Sequence, residues 1–307
     1  MREGEAVPLT AVELDPRYDI TVRSSGLGRR RRVERAVAVL AILSALIACA
    51  LLFVVLGSVL ERGVSQLDLS FFTKSKALFG EKGGIADALV GSALIVGLTI
   101  LFAVPLAVLV AIYISEYARP QGARFFQAVL DVLNGMPAIV VGIFIYGLLV
   151  VGHGYSAVYA SLALAILMLP MVARATQEVL ALVPRSLREA SLALGVPRWR
   201  TVYSIVLPTA IGGILTGVVL AVARVAGETA PILFTSSVVT GNGVSTDVTH
   251  ALQSLPLSIF IDSESPSPDD QAAGWAAALV LIAFVLVMNI LAKTFAGRKR
   301  RSLEGKR

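Results

Sequence analysis

Long apolar stretches separated by short polar segments dominate the pattern of this chain of 307 residues. A helix that crosses a bilayer needs roughly 20 consecutive apolar residues. Six stretches approach that length, at about residues 36–60, 86–115, 125–151, 156–173, 209–235 and 274–296. The pattern therefore predicts an all-α, polytopic membrane protein whose six transmembrane helices form one domain over residues 36–296.

The polar segments around these stretches differ in character. Residues 1–35 carry scattered charges without a sustained helical stripe, so we expect a mobile tail there. A basic loop at 174–208 and an acidic, turn-rich loop at 236–273 separate the last three spans, and a basic tail follows at 297–307. With 56% hydrophobic residues and a mean hydropathy of +0.79, the chain is too apolar for a soluble domain.

Positive charge is concentrated on one side of the predicted membrane domain. With the amino terminus inside, 22 of the 27 Lys and Arg residues fall on the cytoplasmic side, counting Lys293 near the inner end of the last span. The outer loop at 236–273 has no Lys or Arg and five acidic residues. This asymmetry follows the positive-inside rule and predicts that both termini face the cytoplasm. Orientation and contact with anionic lipid, as at Arg29–Arg32, explain the net charge of +6, so no nucleic-acid partner is expected.

No group of residues suggests catalysis or cofactor binding by the chain itself. Cys49 is the single cysteine, and His153 and His250 lie in separate loops without the spacing of metal ligands. The sequence has no glycine-rich phosphate loop ending in Lys-Ser or Lys-Thr, and no serine nucleophile elbow. We therefore expect no metal, no bound cofactor and no ATP hydrolysis by this chain.

The basic loop between the fourth and fifth spans is expected to contain a rigid two-helix projection, here named the knob (residues 186–208). Ser186 can cap a first helix, and Glu189 three residues later completes a capping box. Gly195 then breaks the chain, and a second short helix over Arg198–Leu207 ends at the proline that follows. The residues alone allow either a docking surface, approached closely over its small side chains, or a solvated basic loop.

Two ionisable side chains fall inside the fifth span. Arg224 and Glu228 are four residues apart, so on one helix they face the same side with about 6 Å of rise between them. An Arg at the centre of a membrane helix costs about 2.5–3.5 kcal/mol on insertion scales, so such residues face the bundle interior. The two form either a structural ion pair or part of an anion pathway. Gly227 and Pro231 beside them favour a cavity.

Arginine suits an oxyanion because its planar guanidinium donates two parallel hydrogen bonds and stays charged at any working pH. Transport also requires weak binding, because a tightly held anion would not leave. One Arg beside a Glu meets that demand better than a cluster of Arg residues. Arg174, at the predicted cytoplasmic end of the fourth span, is a weaker candidate that either attracts anions at the exit or only reaches the lipid headgroups.

Three segments, in order along the chain, carry a more specific pattern. Residues 134–142 read Asn-Gly-Met-Pro-Ala-Ile-Val-Val-Gly, and residues 224–231 read Arg-Val-Ala-Gly-Glu-Thr-Ala-Pro. Between them the knob combines Glu-Ala-Ser, a Gly six residues after the Glu, and Ile-Val-Leu-Pro. Together these segments resemble the permeases of phosphate-specific ABC importers, over about residues 86–235. Two homologous permeases, the A type and the C type, pair in these importers. The chain is more similar to the A type, partly because its Arg and Glu are four residues apart.

The resemblance implies a fold, an assembly and a location. These are a type I ABC importer permease fold, a second homologous permease, a pair of separate ATP-binding subunits that use ATP, and an extracytoplasmic phosphate-binding protein, at the bacterial cytoplasmic membrane. The implied function is import of inorganic phosphate past Arg224 and Glu228, with this chain forming half of the pathway. The residues implied in ATPase coupling are Glu189, Ala190, Ser191, Gly195, Ile205, Leu207 and Pro208.

Two alternatives remain open at this stage. Within the same class, the chain is a permease for another oxyanion or a small solute, which competition by sulfate and molybdate would reveal. In a different class, it is a membrane scaffold or sensor subunit that docks a partner and transports nothing. Such a subunit would keep the knob but would not need Arg224 and Glu228. An integral membrane enzyme is disfavoured, because no nucleophile–base pair or metal constellation lies at membrane depth.

Overall fold

The structure is a computed structural model that describes residues 27–76, 83–237 and 243–304. Every regular element in these ranges is helical. Three α-helices are extended by π-helical turns, at Tyr113–Tyr117, Tyr146–Val150 and Val202–Val206. The helices are α1 (Leu27–Gly63), α2 (Leu69–Thr73), α3 (Ala86–Ile112), α4 (Pro120–Gly135), α5 (Ala138–Ile145), α6 (Ala157–Ala181), α7 (Arg185–Ala193), α8 (Arg198–Thr201), α9 (Leu207–Val225), α10 (Ala230–Thr235), α11 (Leu255–Glu264) and α12 (Pro268–Glu304).

The chain divides into two compact units, Met1–Gly57 and Ser58–Arg307. The described part of the first unit belongs to α1, which begins at Leu27. Residues 27–35, assigned to the tail from the sequence, are therefore helical, because a run of Arg residues is compatible with helix and prolongs the apolar segment. The rest of the expected tail, residues 1–26, lies outside the described residues.

Among the described residues, five helices are long and apolar enough to cross a membrane, and a bent pair brings the number to as many as six. The pair is Pro120–Gly135 with Ala138–Val150, bent by 95°. The segment predicted as a span at 125–151 therefore consists of two helices that meet at a sharp bend. Pro137 cannot donate a backbone hydrogen bond, and Met136 before it takes an extended conformation, so the helix ends and restarts there.

The predicted fifth span differs from the structure at both ends. α8, the π-helical turn and α9 form one helical rod over Arg198–Val225, so the second helix of the knob does not end at Pro208. The π-helical turn directly before Pro208 changes the hydrogen-bond spacing where the proline lacks an N–H, which lets the helix continue. At the other end α9 stops at Val225, and α10 is a separate short helix.

The core of the second unit lies between α3, α6 and α9 and uses small side chains. Ala103, Ala107 and Ala111 form a buried stripe on α3, four residues apart. On α9, a Cβ at Gly213 or Gly217 would come within 2.6 Å of an α6 side chain. Because lipid is as apolar as the helices, their association depends on such close packing.

The described part of the outer loop after α10, from residue 243 onward, is more ordered than a turn-rich linker. Its residues 243–254, here named the outer segment, hydrogen-bond to the ends of neighbouring helices. Ala157 N donates to His250 O at 2.9 Å, and Ser236 Oγ donates to Leu252 O at 3.0 Å. α11 follows, and α12 begins at Pro268, before the predicted span start at 274. α12 also continues to Glu304, through most of the predicted tail at 297–307.

Candidate functional site

Two helix breaks meet at one small cavity. The first separates α4 from α5 at Met136–Pro137, and the second separates α9 from α10. The cavity has a volume of about 80 Å³, enough for a few water molecules or a small ion. Its lining residues come from both breaks and from α6 between them: Leu133, Asn134, Met136, Ala138, Leu167, Met171, Arg224, Val225 and Glu228.

Arg224 and Glu228 do not lie on one helix, which corrects the geometry expected from their spacing. Arg224 is in the last turn of α9, where its positive charge suits the carbonyl end of the helix. The chain then turns, with Gly227 N donating to Arg224 O at 3.1 Å and Glu228 N donating to Val225 O at 3.0 Å. Glu228 follows this turn and precedes α10. Both side chains nevertheless line the same cavity.

No ion pair joins Arg224 to Glu228 within 4 Å, although both residues are described. Arg224 is exposed on the isolated chain, and Glu228 is half-buried. Arg224 lines the cavity but is not enclosed by this chain alone, so the expectation that it faces the interior of a helix bundle stays a prediction. Its guanidinium remains available to a ligand or to a neighbouring subunit.

The two sequence segments that form the breaks pack directly against each other. A Cβ at Gly142 in α5 would lie 2.9 Å from Pro231 Cα and 3.3 Å from Ala230 O. Glycine at position 142 therefore allows the backbones of α5 and α10 to approach closely. The contact places residues 134–142 and 224–231 on opposite sides of one junction.

Arg174 is ion-paired with Asp131 of α4. The structure places it inside α6, which continues to Ala181 and does not end near residue 173. A second cavity of about 260 Å³ lies beside the pair, lined also by Gln127 and Glu178. Asp131 was not predicted as a partner of Arg174, although an acidic residue inside a predicted span is a signal for a paired cation.

The knob has the two-helix form that Gly195 predicts. Gly195 takes a φ of +74°, and it ends α7 in a Schellman arrangement: Val196 N donates to Ser191 O at 3.2 Å and Gly195 N to Leu192 O at 3.0 Å. The expected capping box at Ser186 is wrong. α7 begins at Arg185, so its N-cap is Pro184, two residues before the predicted one, and no side chain caps it. Proline with its fixed φ favours that earlier start.

The residues expected at the coupling surface are not equally accessible. Ser191 is buried and shares a 2.9 Å hydrogen bond with Thr201 of α8, so it holds the two knob helices together rather than facing a partner. Of the others, four are exposed and two are half-buried. The exposed ones are Glu189, Ala190, Gly195 and Pro208, and the half-buried ones are Ile205 and Leu207.

The knob also presents large apolar side chains that were not predicted as coupling residues. Leu194 is 83% exposed, Trp199 64% and Tyr203 70%. Aromatic and aliphatic side chains gathered on a projecting surface are typical of a protein contact. The sequence did not distinguish these side chains as a contact surface, since apolar residues in a membrane protein are expected to face lipid.

The histidines do not contribute to this site. His250 lies in the outer segment and hydrogen-bonds to Asp247 at 2.9 Å, and His153 lies in the turn before α6. Across the three described ranges, no group of three or more His, Cys, Asp or Glu side chains is arranged to hold a metal ion.

Comparison with known proteins gives matches over most of the chain. Residues 103–301 match the model of the family described as binding-protein-dependent transport system inner membrane component. Phosphate transport system permease protein PstA of Yersinia pestis is 37% identical over 295 residues, covering 94% of this chain and 99% of that protein. PstA 1 of Mycobacterium tuberculosis (strain ATCC 25618 / H37Rv) is 42% identical over 228 residues, covering 72% of this chain and 73% of that protein.

Solved structures show a likeness in fold. A bacterial ABC transporter involved in the import of the acidic polysaccharide alginate matches with a TM-score of 0.62 and 15% identity, covering 88% of this chain and 98% of the matched chain. The inward-facing MetNI methionine ABC transporter matches with a TM-score of 0.54 and 16% identity, covering 70% of this chain and 94% of the matched chain.

Proposed function

The chain belongs to the family of binding-protein-dependent transport system inner membrane components, and we propose that it is the A-type permease subunit of an ATP-driven importer of inorganic phosphate. The observation that carries the proposal is the meeting of two broken helices at a cavity lined by Arg224 and Glu228. The Yersinia and Mycobacterium relatives, which are phosphate transport permeases by name, support the choice of substrate.

Arg224 and Glu228 divide the recognition of phosphate between them. The Arg224 guanidinium, without an ion pair to Glu228, donates two hydrogen bonds to phosphate oxygens in a site where low polarity strengthens the attraction. Glu228 limits the affinity by repelling the anion, and it accepts a hydrogen bond from the hydroxyl that hydrogen phosphate keeps near neutral pH. Sulfate carries no such hydroxyl, so the carboxylate disfavours it. Arg174, already paired with Asp131, has at most a weaker role near the exit.

A second, homologous permease supplies the wall that this chain lacks. Arg224, Asn134 and Gly227 line or adjoin the cavity and are all exposed on the single chain. A charged side chain at membrane depth is stable only against protein or water. This chain therefore forms half of a pathway that is completed at a subunit interface.

The knob docks a pair of separate ATP-binding subunits, which bind and hydrolyse ATP while this chain binds no cofactor. The exposed Glu189, Ala190 and Gly195, with Leu194 and Trp199 beside them, form the contact. The helical rod Arg198–Val225 leads from this surface to the cavity without a break. Movement of the knob as the ATPases close is therefore delivered along one helix to Arg224.

The opposite face receives phosphate from an extracytoplasmic binding protein. The outer segment and α11 form that face, with the acidic side chains of the loop. In this orientation both termini lie in the cytoplasm of a bacterial cell, where the basic segments follow the positive-inside rule. Spans that rock with the knob expose the cavity alternately to the two sides.

Phosphate uptake by cells without their own high-affinity system tests the proposal. The chain is expressed with its neighbouring transporter genes, as the native sequence, as Arg224→Gln, and as Arg119→Gln, which removes a cation outside the cavity. We expect uptake to be lost in Arg224→Gln at normal assembly and kept in Arg119→Gln. Uptake that survives Arg224→Gln would contradict the pathway and favour a docking subunit.

Competition defines the substrate in the same cells. Unlabelled phosphate is expected to compete with labelled phosphate, whereas sulfate and molybdate are not. An importer for another oxyanion would show the reverse order of competition. If the native complex took up no phosphate, the chain would still belong to the transport family, but phosphate would not be its substrate.

A further inference from the structure

Arg188 joins three structural elements through one guanidinium group. Its Nε donates to Glu116 Oε1 at 3.1 Å, and its Nη2 donates to the same oxygen at 2.7 Å. Nη1 donates to Val183 O at 2.6 Å, and Nη2 also donates to Leu180 O at 2.9 Å. The knob helix α7, the end of α3 and the carboxyl end of α6 therefore meet at this side chain.

The pair is well suited to transmit force between helices. The Arg188 and Glu116 side chains are 21% and 12% exposed, so water screens them little. Two guanidinium nitrogens on one carboxylate fix orientation as well as distance. The bonds to Leu180 O and Val183 O also tie the guanidinium to the backbone at the end of α6, where Leu180 O accepts a second hydrogen bond from Val183 N at 3.3 Å.

Glu116 lies at the end of α3, so a displacement of Glu116 can move that whole membrane-spanning helix. It belongs to the π-helical turn Tyr113–Tyr117 that extends α3. α3 packs along α6 through its alanine stripe, and the same core includes Val222 and Val225, which flank Arg224 on α9. A displacement of Glu116 therefore reaches the helices around the cavity by a route separate from the rod that begins at Arg198.

We infer that the Arg188–Glu116 pair is a mechanical joint through which movement of the knob reaches α3. The conformational change driven by the ATPases then reaches the cavity along two helices, α3 and the rod Arg198–Val225. Both residues are positioning residues, since neither lines the cavity at the helix breaks. The inference rests on the proposed function, because it requires an ATPase that drives the knob. It assigns a defined role to Arg188 and Glu116 beyond docking.

The test measures transport and ATP hydrolysis together in the full complex, reconstituted in vesicles with its binding protein. The variants are Arg188→Glu, Glu116→Arg and the double exchange, with Arg188→Lys as the conservative change. Lys76→Gln, which removes a cation from an ion pair with Asp262 elsewhere in the chain, is the control.

Each single reversal is expected to lower the phosphate transported per ATP hydrolysed by about fivefold or more, while ATP hydrolysis continues. The double exchange restores the pair and should recover much of the ratio. Arg188→Lys keeps the charge but loses the forked contact, so it should lie between native and reversal. Lys76→Gln should leave the ratio unchanged.

An unchanged ratio in Arg188→Glu, with transport and hydrolysis falling together, would overturn the joint and leave the pair a purely structural contact. So would a double exchange no better than the single reversals. Failure of the native complex to transport phosphate would instead overturn the proposed function.

A second readout needs no phosphate and keeps the joint testable in that case. An environment-sensitive fluorophore is placed on α3 at Leu101→Cys, in a chain whose only other cysteine is removed by Cys49→Ser. Trapping the ATPases with ATP and vanadate should change its signal in the native background and not in Arg188→Glu. Equal changes in both backgrounds would overturn the joint.

Discussion

Gly142 and Pro231 are in backbone contact across the junction of α5 and α10, and a single Cβ at Gly142 would come within 2.9 Å of Pro231 Cα. The contact fixes how far apart the two helix breaks lie, and therefore the size of the cavity between them. Pro231 is in the first turn of α10, so its rigid ring cannot yield to a larger neighbour.

Gly142→Val should therefore force the two breaks apart. We expect a loss of about 1–3 kcal/mol in stability, as for other overpacked sites, together with strongly reduced phosphate uptake. The measurements are thermal unfolding of the purified complex and uptake in cells.

Gly147→Val is the matched control, because no atom lies within 4 Å of a Cβ at that position. It should behave like the native chain in both measurements. Equal effects of the two substitutions would mean that the Gly142 contact does not set the cavity.

Glu228→Gln should weaken the discrimination between phosphate and sulfate. The amide removes the repulsion of a fully ionised oxyanion, and it can donate a hydrogen bond where the carboxylate could only accept one. We expect sulfate to compete with labelled phosphate at concentrations about tenfold lower than for the native complex, a difference of about 1.4 kcal/mol.

Glu178→Gln provides the comparison, since Glu178 lines the neighbouring cavity beside Arg174 instead. It should leave the competition by sulfate unchanged. A Glu228→Gln complex with native selectivity would show that the carboxylate does not read the substrate.

Substitutions at Gly195 should disturb docking of the ATP-binding subunits in the order set by backbone strain. The φ of +74° is unfavourable for residues with a Cβ, by about 1–2 kcal/mol, and least so for Asn. Crowding is not involved, because no atom lies within 4 Å of a Cβ built there. We therefore expect co-purification of the ATPase to fall from Gly through Asn and Ala to Val.

Gly195→Asn serves as the tolerated variant in that series. If Asn and Val reduced co-purification equally, the loss would come from side-chain contact with the ATPase rather than from the turn.

Asp262 should make stability depend on pH in a direction opposite to that of an ordinary surface carboxylate. Burial in α11 raises the pKa of its carboxyl above 3.8, and the neighbouring Lys76 offsets this only in part. The folded state therefore keeps the proton at pH values where the unfolded chain has lost it. This contribution is present below pH 3.8 and is lost as the pH rises through the folded pKa.

Thermal unfolding of Asp262→Asn across that window should show a smaller decline with rising pH than the native protein. Asp247→Asn is the control of opposite sign, because hydrogen bonds from Thr249 lower the pKa of Asp247. An identical pH profile for the native chain and Asp262→Asn would contradict the prediction.

The fold class could be predicted from the sequence because it depends on a simple quantity, the length of apolar runs. That prediction is confirmed, as is the resemblance to phosphate importer permeases. Gly195 was also predictable, because a glycine between two helical patterns indicates a left-handed turn. The roles of Arg224, Glu228 and the knob residues stay predictions.

The breaks and pairings were harder to predict, for identifiable reasons. Gly227 and Pro231 are signals for a helix end, but glycine and proline are also tolerated inside membrane helices, so the sequence alone did not separate a break after α9 from a kink. A proline usually predicts the end of a helix, but the π-helical turn before Pro208 lets the helix continue past it. Arg188 and Glu116 are 72 residues apart in sequence, and only the packing of α3 on α6 brings them together. Ser191 appeared to be a surface residue because its partner Thr201 lies beyond the glycine turn.

The outer segment is held mainly through its own backbone. Ser156 Oγ donates to Val248 O at 2.9 Å, Ala157 N donates to His250 O, and Ser236 Oγ bonds to both O and N of Leu252. Hydrogen bonds to backbone atoms do not depend on the identity of the side chains at Val248, His250 and Leu252. The exposed side chains of Asp247 and His250 are therefore free to diverge between species. The face offered to the binding protein can evolve with that partner while the backbone hydrogen bonds that hold the outer segment stay the same.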